Sequence, residues 1–122
     1  MIYGGLNADE DSRAMEQFLA QRMELDAVFG FTETSTLGAK SMLQMLNYRI
    51  PQDVAICCIS GTELCTLVHP TITAVEQPVR QMADTACNLL LERIQHPDAP
   101  KKEVVLRGEM IFRESTPNII LP

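Results

Sequence analysis

The sequence has little clustered positive charge, little histidine and no long apolar run. Ten Lys and Arg stand against sixteen Asp and Glu, a net charge of −6, and the basic residues form no cluster longer than Lys101-Lys102. That balance offers no footprint for neutralising phosphates, so this stretch is not expected to bind nucleic acid unaided. No run reaches the ~20 apolar residues of a membrane span, and the start, MIYGGLNADEDS, has neither the basic nor the apolar part of an export signal. A soluble cytoplasmic protein is the expectation. The only histidines, His69 and His96, are unpaired and each adjoins a proline, which leaves zinc without ligands. No G-x-G-x-x-G or P-loop follows a strand-like segment, since Gly4-Gly5 lacks the rest of the spacing. Neither a metal nor a cofactor is expected. The four cysteines, Cys57, Cys58, Cys65 and Cys87, lack CxxC spacing and read as buried free thiols of a reducing compartment.

What is there is apolar material in α/β order. At 122 residues and 46% hydrophobic, the chain is one domain or part of one. Asn7 is a good N-cap, with Glu10 three residues on and Asp9 and Asp11 at the positive end of a helix over about 8–23. Ala14, Met15, Phe18, Leu19 and the stem of Arg22 form its inward stripe. LDAVFGF, 25–31, reads as a strand ending at Thr32. A second helix over about 34–47 places Ala39, Met42, Leu43 and Leu46 on one face and must end before Pro51. Leu37 falls on the opposite face beside Lys40, Ser41 and Gln44, either a lone exposed leucine or an interface. The run VAICCI, 54–59, has no polar alternation and reads as a central strand covered on both faces. Ile72–Val75 is another short strand. Pro78 opens a third helix, with Val79, Met82, Ala83, Ala86, Leu89, Leu90 and Ile94 inward, ending at His96-Pro97-Asp98-Ala99-Pro100. EVVLRGEMIFRE, 103–114, gives one or two β segments broken at Gly108.

This order predicts an α/β fold with a mostly parallel sheet and helices on both faces. Its front is thin. Only Met1–Tyr3 can serve as the opening strand and no helix precedes it, so one face of the sheet is expected to lack cover, and Met1 reads as an internal methionine or a late start.

In open α/β sheets ligands gather beyond the carboxyl ends of the strands. Here those positions hold Leu6, Asn7, Thr32, Glu33, Ser60, Gly61 and Gln77, a set suited to hydrogen bonding a polar, uncharged small molecule. It is poor in reactive chemistry. Ser60 has no base, and C-I-S-G-T is not a nucleophile elbow, so no catalytic residue is expected. A phospho-receiver domain fits the length but needs aspartates at the strand ends, whereas Asp9 and Asp11 stand in a helix start.

Four stretches together resemble the LacI/GalR family of bacterial transcription regulators: "DAVFGFTETSTLGAKSMLQML", "YRIPQDVAI", "HPTITAVEQPVRQMADTACNLLLERI" and "FRESTP". The resemblance implies the carboxyl-terminal part of an effector-binding domain of the type I periplasmic-binding-protein fold. Two hinged α/β subdomains enclose a ligand cleft in that fold. Residues 1–71 and the last strand then belong to the second subdomain, and about 72–95 crosses to the first; a helix-turn-helix headpiece and most of the first subdomain have no counterpart here. The resemblance also implies a homodimer that senses a small-molecule effector, a sugar or nucleoside-like ligand, and reaches operator DNA only through the headpiece. It matches Leu6, Thr32, Glu33, Ser60, Gly61 and Gln77 to effector contacts, and Leu37 and Val68 to the dimer interface. The chain departs from the family's pattern where Cys58, Ile59, Ser60 and Gly61 put a hydroxyl in place of an acid, and where Thr32-Glu33 replaces an Asn-Asp pair. A periplasmic-type sugar-binding protein shares the fold and is the alternative, with an export signal as its distinguishing mark.

Overall fold

The structure, a computed structural model, describes residues 7–21, 24–59 and 61–117. The expected opening strand Met1–Tyr3, and Leu6, Arg22 and Ser60, lie outside the described residues. In chain order the elements are α1 (Ala8–Ala20), β1 (Ala27–Gly30), α2 (Glu33–Met45), β2 (Ala55–Ile59), α3 (Leu64–Leu67), β3 (Thr73–Glu76), α4 (Val79–Gln95) and β4 (Glu109–Ile111). They fall into two compact units, Met1–Glu76 with Met110–Pro122, and Gln77–Glu109.

Local chemistry sets the ends of the helices in the larger unit. Asn7 caps α1, its Oδ1 accepting from the Glu10 amide at 3.0 Å, and Asp9, Glu10 and Asp11 sit in the first turn. Thr32 caps α2 through its hydroxyl, which accepts from the Ser35 amide at 3.2 Å. Asn47 stops α2 two residues past Met45: it takes the left-handed conformation (φ 64), and the next amide, of Tyr48, returns to the Leu43 carbonyl at 2.9 Å. Gly38 lets α1 and α2 lie close together, since a Cβ there would stand 2.2 Å from the Ala8 carbonyl oxygen. Ser12 fastens the same contact by donating to the Gly38 carbonyl at 2.7 Å.

The sheet runs β1-β2-β3-β4. β1 pairs parallel with β2 (Val28 opposite Ile56) and β2 parallel with β3 (Cys58 opposite Ala74), as βαβ order requires. One buried cluster, Leu43, Ile50, Val54 and Ile56, takes Met15 and Leu19 from α1 and Val28 from β1. A second, Cys58, Cys65, Ile72 and Ala74, takes Leu37 and Val68. Ile56 and Cys58 are on one face of β2, and this is the face that α1, α2 and α3 cover. The other face differs from the expectation for VAICCI: Ala55, Cys57 and Ile59 are half-buried, and Phe29 is 60% exposed. The apolar run marks a strand able to take cover on both sides, and within the described residues of this unit the helices supply it on one. Among the described residues of this unit, the Phe29–Cys57 side of the sheet is the less covered one.

α2 is also more enclosed than its stripe predicts. Ala39 and Leu43 are buried as expected, and so are Thr36, on the same face one turn earlier, and Lys40 from the face expected to be outward, whereas Leu46 is exposed. Lys40 extends its ammonium to the Gln44 side chain and the His69 carbonyl, each at 2.9 Å, which lets its stem be covered.

In the smaller unit, α4 has no buried residue. Met82, Ala86 and Leu89 line a groove with Val104 and Leu106, yet of the residues expected to face inward only Leu89 is half-buried; Val79, Met82, Ala83, Ala86, Leu90 and Ile94 are exposed. A single extended segment covers only part of so wide an apolar stripe. Arg93 folds the following loop back by donating to the carbonyls of Pro97 (3.0 Å) and Ala99 (2.6 Å), and Lys102 pairs with Glu92. Residues 103–108 form no strand, so the expected β segment shrinks to β4.

Candidate functional site

Because β1, β2 and β3 are parallel, their carboxyl ends share one edge of the sheet, and there the chain gathers hydroxyls and one buried carboxylate. Thr32 follows β1, with its hydroxyl 2.7 Å from that of Ser35, while the buried Thr36 hydroxyl donates to the Thr32 carbonyl at 2.8 Å. The loop end before α2 is thus held from both sides.

Glu33 crosses from the β1 end to the β2 end. Its carboxylate accepts from the Thr62 amide (3.2 Å), the Thr62 hydroxyl (2.5 Å) and the Cys65 amide (2.9 Å). Burial alone would push this carboxyl up, but the hydrogen bonds from Thr62 and Cys65 prevail and hold it below the ordinary carboxylate value. Glu33 is therefore an internal brace, and the hydroxyl it orients belongs to Thr62. Gly61, just past β2, donates its amide to the Val75 carbonyl at 3.3 Å, and a Cβ there would stand 2.4 Å from that of Ala74. Only glycine lets the β2 end approach β3 so closely.

At the end of β3, Glu76 pairs with Arg113 at 2.5 Å, and the same guanidinium donates to the Ile72 carbonyl at 2.8 Å. The rest of "FRESTP" is structural. The buried Ser115 hydroxyl accepts from the Thr73 amide (2.9 Å) and donates to the Ile56 carbonyl (2.6 Å), joining β2 to β3. "YRIPQD" closes a clamp in which Asp53 accepts from the Arg49 amide (2.8 Å) and twice from its guanidinium (2.9 and 2.6 Å). The side-chain and backbone hydrogen bonds from Arg49 pull Asp53 down to about 2.

Of the residues expected to contact a ligand, the structure brings Thr32, Glu33 and Gly61 to this edge. Asn7 is spent as a helix cap. Gln77 opens the smaller unit, exposed, with its carbonyl accepting from the Val79 amide at 2.8 Å. Leu6 and Ser60 are outside the described residues. Leu37 and Val68, expected on one interface, do share a location: both are half-buried against the Cys58–Ala74 cluster. Sequence reasoning passed over Thr62, Glu76 and Arg113. Thr62 follows Gly61 directly, and a hydroxyl at that position was the available signal; the 37-residue separation of Glu76 and Arg113 left none. Among the described residues no group of histidine, cysteine and acid side chains is arranged to hold a metal, and no helix is long and apolar enough to cross a membrane.

Residues 3–116 match the model of the periplasmic binding protein-like domain. The chain belongs to this family. Within it the relatives are LacI-type regulators, in line with the resemblance carried by the four sequence stretches. The chain is similar to the HTH-type transcriptional repressor PurR of Vibrio atlanticus, at 32% identity over 94% of the chain and 34% of the relative. It spans about a third of the length of such relatives. In structure it is similar to a LacI-type transcription regulator from Bifidobacterium animalis (28% identity, TM-score 0.86, 95% of this chain and 42% of that one). It is also similar to a LacI family regulator from Enterococcus faecalis with bound ribose (28% identity, TM-score 0.85, 95% and 43%). The α/β architecture read from the sequence is that of this family.

Proposed function

We propose that this chain is the effector-sensing and dimerisation part of a cytoplasmic bacterial transcription repressor, whose intact form reaches operator DNA through a headpiece outside these residues. Its effector is a small polar molecule, a sugar or a nucleoside-like compound. The observation that carries the reading is the edge where parallel strand ends bring together Thr32, Gly61 and Thr62, with Glu33 bracing them from below. Such a surface binds hydroxyl-rich ligands by hydrogen bonding and, among the described residues, offers no activated nucleophile, so no catalytic role is assigned. Thr32 and Gly61 are proposed as direct contacts and Glu33 as acting through Thr62. Leu6, Ser60 and Gln77 rest on their places beyond the strand ends in the sequence together with the resemblance, Leu37 at the dimer interface on its helix-face angle together with the resemblance, and Val68 on the resemblance.

An antibody raised to this chain tests the proposal in the cells that make it, after crosslinking and recovery of bound DNA. Specific DNA segments should be enriched, and the enrichment should change when the right sugar or nucleoside is supplied. Recovery no better than an unrelated antibody gives would contradict it.

A further inference from the structure

The Cys58 and Cys65 sulfurs lie 3.8 Å apart, with both side chains buried and both thiols free. Cys58 is in β2, and Cys65 is the one buried residue of the single-turn helix α3. Neither has a place in the proposed effector contact or in an enzyme mechanism. The spacing is that of two thiols packed in contact, and closing it to a disulfide of ~2.04 Å needs an approach of about 1.8 Å. A four-residue helix adjoining a loop can supply that movement, whereas a sulfur fixed between two strands could not.

We infer that Cys58 and Cys65 form a redox pair, a modification site at which a peroxide-class oxidant closes a disulfide joining β2 to α3. Burial raises both thiols, which keeps them unreactive while α3 is docked. Reaction begins when the single turn opens locally, an event of low cost for so short an element. The exposed Cys65 thiolate attacks one peroxide oxygen and breaks the O–O bond; the sulfur becomes a sulfenic acid and the departing hydroxide takes up a proton as water. While the turn is still open, the Cys58 thiolate, uncovered by the same movement, attacks the Cys65 sulfur; the S–S bond forms as the S–O bond breaks, and the departing hydroxide takes up a proton as the second water. Two thiols and one hydrogen peroxide thus give one disulfide and two waters. The bond fixes α3 against β2, and with it the Cys65 amide that donates to Glu33. Oxidation therefore reaches the brace beneath the strand-end edge.

The test treats the purified reduced chain with a few equivalents of hydrogen peroxide, then counts free thiols after denaturation and maps crosslinked peptides by mass spectrometry. The inference expects two of the four thiols to disappear, a Cys58–Cys65 crosslink within one chain, and full recovery on adding dithiothreitol. The variant C57S/C87S, which keeps only the pair, should form the same crosslink. A map that finds Cys57 or Cys87 in the bond, or crosslinks only between chains, overturns the inference; so does retention of all four thiols.

Discussion

Glu33 joins two functions usually kept apart, since one carboxylate both begins α2 and anchors the turn that carries Thr62. The hydrogen bonds that depress it favour the ionised form in the folded chain, so its contribution to stability is complete above the ordinary carboxylate value of 4.5 and is lost as pH falls through its lower folded-state value. Replacing it with glutamine should cost ~1–3 kcal/mol at pH 7, because a buried acceptor of three donors loses its charge. Urea titration would measure this, and the gap between Glu33→Gln and the parent should narrow as the pH drops below 4.5. Asp53 is depressed as well: its stabilising clamp on Arg49 is complete above the ordinary value of 3.8 and disappears as pH falls through about 2. Acid unfolding should therefore extend from about 4.5 down to about 2, with the upper part missing in the Glu33→Gln chain. The acid of Thr32-Glu33 was visible in the sequence as a ligand candidate, but its turn inward was not. That orientation depends on Thr62 and Cys65, about thirty residues away, and no local pattern records such a pairing.

Among the elements, the close approaches at Gly38 and Gly61 are two of the points where packing tolerates little change. Gly61→Ala would drive a Cβ into Ala74 and part β2 from β3, and Gly38→Ala would press α1 away from α2. Each should lower stability by ~1–3 kcal/mol, the usual cost of overpacking. Gly61→Ala should also disturb the amides of Thr62 and Cys65 in NMR spectra, and Gly38→Ala those of Ala8 and Ser12. Legibility in the sequence follows element length and locality. α1 and α2 could be read because caps and an apolar stripe agree over thirteen residues, and β2 because six apolar residues run unbroken. α3 could not, since four residues give no period. EVVLR was expected to pair as a strand because its composition suits one; it runs instead beside α4, where Val104 and Leu106 line one groove with Met82 and Leu89. Lys40 was read as outward because helix periodicity sets it beside Leu37 on the face opposite the apolar stripe, and its burial depends on the His69 carbonyl from a distant loop.

At the scale of the whole molecule, the fold class and the edge that carries the site follow from βαβ order, whereas assembly depends on surfaces that side-chain pattern alone leaves open. Leu37 and Val68 are half-buried against the same cluster, so the proposed dimer interface is a single patch that also leans on the core. Leu37→Ala should shift the chain toward monomer by sedimentation at low micromolar concentration; an unchanged dimer would count against that patch. The central claim is that the edge formed by Thr32, Gly61 and Thr62 receives the effector. Amide NMR of the isotope-labelled chain, titrated with ribose, a disaccharide and a purine nucleoside in turn, tests it most directly. The account predicts that one of them, binding weakly to this part of the cleft, shifts the amides of Thr32, Glu33, Gly61 and Thr62 and leaves those of the Arg49–Asp53 clamp in place. If the edge stays unmoved by all three, or the shifts centre on the clamp instead, the claim is contradicted.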